Sequence, residues 1–245
     1  MTSELFRIQH HARLTSTNDE AKRLAAAGAE HGTVVWADEQ TAGRGRYARV
    51  WDSPTGNLMF SVLLRPAVAP DRAAELAFVT AVVAAECIAA LLPGGARVGL
   101  KWPNDVRIDG DKVAGILLEA DSGDNSLHWV VLGTGINVAH APTGLAYPAT
   151  CLRAHRSDAT PEQGLHLFLE HLARWLPRWE REGFAPVRAA WLARAEGLGS
   201  ELTVTLGDRE ERGTFRDLDA TGAMLLTTPE GTRRITAGDV AFAVS

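Results

Sequence analysis

The stretch RVGLKWPNDVRIDGDKVAGILL, residues 97–118, sets short apolar runs against turn residues. Val98 to Trp102 and Val106 to Ile108 read as strands, and Val113 to Leu118 as a third. Asp109-Gly110 between the last two is a strong hairpin signal, because both residues tolerate the positive φ that a two-residue turn demands. Pro103 and Asn104 interrupt the first run, since proline supplies no ladder donor and suits an edge or a bulge. The hairpin places Asp105 and Lys112 on adjoining strands, where their side chains can converge. Trp129 to Leu132 with Ile136 to Val138 continues the meander.

Working outward, Leu5 to Ile8 is expected as a short strand. Thr17-Asn18-Asp19-Glu20 reads as a capping box opening a helix through Ala27, stopped by Gly28. Thr33 to Ala37 and Leu58 to Leu64 are β-branched, aromatic or aliphatic runs of strand type. An alanine-rich helix is expected over about Asp71 to Leu92, ended by Pro93-Gly94-Gly95. Leu165, Phe168, Leu169, Leu172, Trp175, Leu176 and Trp179 form the stripe of an amphipathic helix over Pro161 to Glu182, with Pro177 expected to kink or split it. After Trp191 to Leu198 come short β-rich segments at Leu202 to Leu206, Gly213 to Phe215, Ala223 to Thr227 and Val240 to Val244. Their turn residues predict a small β-barrel. The fold class is therefore α+β, with a body over residues 1–197 and a C-terminal β-module over 198–245.

The 245-residue chain is 46% hydrophobic and 22% charged, with a formal net charge of −5. That is the balance of an ordinary globular protein, and it argues against a surface that grips nucleic acid throughout. Cys87 and Cys151 stand far apart and outside any CxxC pattern, so neither a disulfide framework nor a thiolate metal site is suggested. The eight histidines include no HExxH, and His166 and His171 are five apart, which does not stack two ligands on one helical face. No protein metal centre is expected. The N-terminus lacks a basic region followed by an apolar run, and the apolar stretch Ala73 to Leu92 carries Glu75 and Glu86. A cytoplasmic enzyme or binding protein without a membrane span is the expectation.

Between the strands at Thr33 and Leu58 lies Gly43-Arg44-Gly45-Arg46-Tyr47-Ala48-Arg49-Val50-Trp51. Arginine offers a planar fork of donors matched to carboxylate and phosphate oxygens, and glycine lets backbone approach a ligand closely. A small-molecule anion site is one reading; a solvated basic loop, or a segment that tracks an RNA backbone, is another. Neither a P-loop nor a dinucleotide fingerprint accompanies it, because no GxxxxGK[ST] occurs and Gly43-x-Gly45 lacks a third glycine and a following helix.

Taken in order, Ser16-Thr17-Asn18, Gln40-Thr41-Ala42-Gly43-Arg44-Gly45-Arg46, Lys101-Trp102-Pro103-Asn104-Asp105, Lys112-Val113-Ala114-Gly115-Ile116-Leu117 and Gly133-Thr134-Gly135-Ile136-Asn137 closely resemble the biotin protein ligases. The segment Gly213 to Leu226 resembles that family's SH3-like module. The resemblance implies a class II synthetase-like catalytic domain with a mixed or antiparallel sheet, and a two-step ligase. Biotin and ATP, carried with Mg2+, would give biotinyl-5'-adenylate, and a lysine of a biotin carboxyl carrier domain of an acyl-CoA carboxylase would then take the biotin.

The family's roles, carried over, put Ser16, Thr17, Asn18 and Gln40 at the biotin ring, with Gly43, Gly45, Gly115 and Gly133 giving backbone contacts or room. Arg44, Arg46 and Lys112 would surround the biotin carboxylate and the α-phosphate. Trp51, Asn104 and Asn137 would neighbour the adenylate, and Asp105 would orient or deprotonate the incoming lysine. Tyr47 and Ala48 depart from the basic or glycine residues of many relatives. The catalytic body begins within twenty residues, so no DNA-binding domain is expected, and the protein is expected as a monomer or homodimer. A lipoate ligase-like acyltransferase is the nearest rival, and a non-catalytic nucleic-acid binder a more distant one.

Overall fold

A seven-stranded mixed sheet forms the body, in the order β1-β2-β3-β7-β6-β5-β4. Its strands are β1 (Arg7–His11), β2 (Thr33–Ala37), β3 (Leu58–Leu64), β4 (Val98–Lys101), β5 (Asp105–Ile108), β6 (Asp111–Gly123) and β7 (Ser126–Ile136). Only β1 and β2 run parallel among the described pairs. The computed structural model describes residues 5–123 and 126–242. Asp109 and Gly110 both adopt positive φ (49° and 94°), which is the turn the Asp-Gly pair predicts between β5 and β6.

The two faces of the sheet are covered unequally. Helices α2 (Glu75–Leu91) and α3 (Pro161–Glu182) bury the face bearing Phe60, Val62, Val130 and Leu132. Helix α1 (Thr17–Ala26) covers part of the other, where Ala21 and Ala25 meet Val35, Leu63 and Val131. Strand alternation divides the residues between these faces. Helix α2 is apolar all round because it lies inside the core, with Leu76, Val79, Val82 and Ile88 fully buried.

Helix α3 is continuous through Pro177, so the split that was one of the expected outcomes does not occur. Tertiary contacts on both sides of the proline account for this: Trp175 Nε1 donates to Glu86 on α2 at 3.0 Å, and Trp179 Nε1 to Glu75 at 2.5 Å. The helix opens on a full capping box, with Gln163 N donating to Thr160 Oγ1 at 3.2 Å and Thr160 N to Gln163 Oε1 at 2.9 Å. Thr160→Ala is expected to cost about 1 kcal/mol, read from the midpoint of denaturant unfolding.

Other boundaries also move. The first strand starts at Arg7 and not Leu5, and β7 is one strand where two were expected. The cap of α1 is Ser16, whose hydroxyl accepts from Asp19 N, which puts Thr17 inside the first turn.

After the short helix α4 (Ala185–Leu192) come β8 (Glu201–Leu206), β9 (Arg209–Leu218), β10 (Met224–Thr228), β11 (Gly231–Ile235) and β12 (Asp239–Phe242). They pair in the linear order β11-β10-β9-β8-β12, so among the described residues this is an open sheet and not the closed barrel expected. The end of the expected last strand, residues 243–244, lies outside the described residues. The module is seated on the body. Trp191 of α4 packs edge-on to both Phe78 of α2 and Phe215 of β9, and Trp102 Nε1 donates to Gly222 O at 3.1 Å.

Candidate active site

Beyond the end of α1 the open face of the sheet carries small and polar residues. Register sets them in two rows. Ser61, Gly133 and Leu117 lie side by side on β3, β7 and β6, and the next row is Met59, Gly135, Gly115 and Asp105. Without side chains at 115, 133 and 135 the sheet has a floor into which neighbours can sink. Asn18 fills the space above Gly133, and the Trp51 indole lies over Gly115 and Gly135. The glycines therefore admit protein side chains, a use that the expectation of room for ligand did not include.

Above this floor is a cavity of about 780 Å³, within the usual range for small-molecule sites. Ser16, Thr17, Asn18, Gln40, Arg44, Gly45, Arg46, Trp51, Asn104, Asp105, Lys112, Gly115 and Gly133 all line it. Five stretches spread over nearly 120 residues of sequence thus meet in one place. Gly43 and Asn137 do not line it. A methyl group on Gly43 would meet the Ser53 hydroxyl at 2.6 Å, so this glycine serves loop packing. Asn137 is buried and donates to Thr150 O at 3.0 Å, a structural use.

One end of the cavity is polar and neutral. Thr17 donates from backbone N (2.8 Å) and from its hydroxyl (3.1 Å) to Gln40 Oε1, and Gln40 Nε2 donates to Ser53 Oγ at 2.9 Å. Ser61, fully buried, donates to Asn18 Oδ1 at 2.6 Å and sits 2.8 Å from the Thr17 hydroxyl. Asn18 Nδ2 donates to Glu119 Oε2 at 2.8 Å. A hydrogen-bonded network of this kind fixes rotamers in advance, which suits recognition of a ligand edge with both donors and acceptors.

The other end is cationic. Lys112 Nζ is 2.7 Å from Asp105 Oδ1, the convergence across the hairpin that the sequence predicts. It also lies 5.4 Å from the Trp51 ring centroid and 5.3 Å from that of Tyr147. Arg46 is close to Asn104 Oδ1 at 3.4 Å, and Asn104 is held by its own donation to Ile116 O at 2.8 Å. Lys101, a cavity residue absent from the expected set, is pulled below the ordinary lysine pKa by burial, with Arg107 and Lys112 adding repulsion. An anion entering here would meet several cations in a partly desolvated site.

Arg44 lines the cavity and is also engaged by carboxylates. Its two terminal nitrogens donate to the two oxygens of Asp19 at 2.5 and 2.6 Å, and Nη2 lies 3.8 Å from Glu119. This grip, with Lys22 beside it, holds the Asp19 carboxyl down at about 2. A lowered carboxylate pKa gives stability that is complete above the unfolded value, near 3.8, and is lost as pH falls toward 2. The pair is therefore expected to stay intact from pH 5 to 9, and any titration of biotin affinity in that window should persist unchanged in Asp19→Asn.

The loop from Gly43 to Trp51 carries two non-glycine residues in the left-handed region, Tyr47 (φ 55°) and Ala48 (φ 56°). Each costs on the order of 1 kcal/mol of backbone strain. Arg49 reaches out of the loop to Asp239 on β12, so the small module also borders the cavity. Tyr147, Asp239 and Phe242 were missed by sequence reasoning because they stand in segments whose only local signal is turn or strand composition.

Comparison with known proteins agrees with this arrangement. Residues 11–137 match the Biotin/lipoate A/B protein ligase family, and residues 197–243 match the Biotin protein ligase C terminal domain. A biotin--[acetyl-CoA-carboxylase] ligase of Paracoccus denitrificans is 40% identical over 94% of this chain and 98% of its own length. The enzyme of that name from Mycobacterium tuberculosis is 34% identical over 94% of this chain and 86% of its own. The solved biotin protein ligase of Aquifex aeolicus in complex with biotin and ATP superposes with a TM-score of 0.81 at 28% identity, covering 98% of this chain and 99% of that one. Motif order, cavity and near full-length likeness coincide, and the chain belongs to the biotin protein ligase family.

Proposed function

We infer that this protein is an ATP-dependent ligase that activates biotin as biotinyl-5'-adenylate and passes it to a lysine of a carboxylase's biotin carboxyl carrier domain. The observation that carries this reading is the pairing, in one cavity, of a neutral hydrogen-bonding end (Ser16, Thr17, Asn18, Gln40) with a cationic end (Lys112, Arg46). A ureido ring joined by an aliphatic chain to a carboxylate has the matching polarity.

In the first step a biotin carboxylate oxygen attacks the α-phosphorus of ATP, forming the acyl–phosphate bond as the bond to pyrophosphate breaks. The two reactants are both anions, and their repulsion is a principal barrier. Lys112 and Arg46 offset it and meet the charge that gathers on the phosphoryl oxygens in the transition state. In the second step the carrier lysine's amine attacks the acyl carbon and AMP leaves. Asp105, at the cavity wall, is the group proposed to orient that amine or take its proton. Trp51 and Asn104 are proposed to neighbour the adenylate. We also propose the division of labour between a catalytic body to about residue 197 and a C-terminal module that borders its cavity.

Pyrophosphate release by the purified protein with Mg-ATP tests the reading. Release is expected to require biotin, and labelled biotin is expected to appear on an added carrier domain. The family match at residues 11–137 embraces lipoate ligases as well, so lipoate is the informative competitor. Release that depends on lipoate and ignores biotin would overturn the assignment. Carrier labelling is expected to be indifferent to added RNA or DNA, which separates the enzyme from a nucleic-acid binder.

A further inference from the structure

The loop from Gly43 to Trp51 is a small flap closed on itself. Trp51 N donates to Gly43 O at 2.9 Å and Gly45 N to Arg49 O at 2.8 Å, while Arg44 and Val50 form an isolated bridge. Its tip projects into solvent, with Tyr47 and Val50 largely exposed. What orients such a flap is whatever its side chains hold outside it.

Arg49 holds Asp239 and Arg46 lies near Asn104; Arg44 makes the attachment at the base of the flap. Both terminal nitrogens are committed to Asp19 in parallel bonds, on the first turn of α1. The receiving end is itself braced. Lys22 Nζ bridges Asp19 (3.1 Å) and Glu119 (2.6 Å), and Glu119 in turn holds Asn18 (2.8 Å). The same cluster therefore fixes Asn18, on the neutral wall of the cavity, and the base of the flap. The carboxylates of Asp19 and Glu119 offset the Arg44 guanidinium and the Lys22 ammonium beside it, so Arg44 contributes less to anion attraction than its formal charge suggests.

We propose that Asp19 is a positioning residue for the ligase reaction: its two-point grip on Arg44 holds the flap over the cavity, and Arg44 acts through the flap's backbone while Arg46 and Lys112 face the substrate anions. The geometry stands by itself; the substrate named in the test rests on the ligase reading above.

A double-mutant cycle of Asp19→Asn, Arg44→Gln and the pair tests it, with three readouts. Trypsin cleavage after Arg46 and Arg49 in the ligand-free protein, followed by mass spectrometry, is expected to quicken several-fold in every variant at temperatures well below the thermal transition, whose midpoint falls only modestly. The KM for biotin in pyrophosphate release is expected to rise about tenfold, with kcat changed less than threefold. The double variant is expected to match either single one, because both remove the same pair. Asp19→Glu should restore part of the parent's protection.

An Arg44→Gln defect concentrated in kcat, with Asp19→Asn close to the parent, would overturn the proposal and return Arg44 to direct contact with the reacting anions. Unchanged trypsin sensitivity in both single variants would also overturn it. If Asp19→Asn does not fold, Arg44→Gln breaks the pair from the other side and carries the test. Absence of biotin-dependent turnover in the parent would refute the ligase reading and leave the proteolysis result interpretable.

Discussion

Lys112→Ala is expected to slow biotin-dependent pyrophosphate release by about 10²- to 10³-fold at saturating substrates. The ammonium lies in a slot walled by Trp51 and Tyr147 and fixed by Asp105. A cation held there before substrate arrives needs no rearrangement when charge builds on the phosphate. Arg46 remains in the variant, which is why the loss is finite. Lys112→Arg is expected to recover only part of the rate, because a planar fork does not fit the place of a compact ammonium between two rings. Asp105 is left unpaired by the alanine change, but it is partly solvated, so a modest fall in melting temperature is the expected cost. Single-turnover measurements separate adenylate formation from transfer. A rate for Lys112→Ala within threefold of the parent would place the charge stabilisation elsewhere.

The elements most legible from sequence were those whose side chains have one partner surface. Strands β2 and β3 and helix α3 fall at the residues expected, because unbroken apolar runs and a long 3.6-residue stripe each demand a single kind of burial. Strand β11 was missed. Gly231-Thr232-Arg233-Arg234-Ile235 is exposed at every position but the last, so it carries no alternation, and its place is set by pairing with β10. At Pro177 the split that local propensity allows is overridden by two indole–carboxylate bonds that tie α3 to α2.

For the site, the ordered motifs disclosed which residues gather but not how they divide the work. Lys112 and Asp105 could be brought together from the hairpin alone. The partner of Arg44 could not, because Asp19 stands 25 residues away on another element and no local pattern links the two. Nor does the sequence distinguish a glycine that makes room for a ligand from one that makes room for another side chain.

That distinction gives the second large effect. Gly133→Ala is expected to weaken biotin binding about 100-fold, read by calorimetry. A methyl group there would overlap Asn18 Oδ1 and come within 2.8 Å of its Cγ. Asn18 cannot yield cheaply, being held by Ser61 at 2.6 Å, Glu119 at 2.8 Å and, more weakly, Leu117 O at 3.3 Å. Losing these bonds costs about 3 kcal/mol of folding stability at roughly 1 kcal/mol each, and an Asn18 displaced from the cavity wall no longer meets the ligand, which is expected to cost about two decades in affinity. If Gly133 exists to seat Asn18, the defect belongs to the pair. Asn18→Ala with Gly133→Ala is then expected to bind biotin no worse than Asn18→Ala alone, since the overlap is gone. If instead the glycine leaves room for the biotin ring, the double variant would lose a further tenfold or more relative to Asn18→Ala, and the floor of the cavity at this position would belong to the ligand.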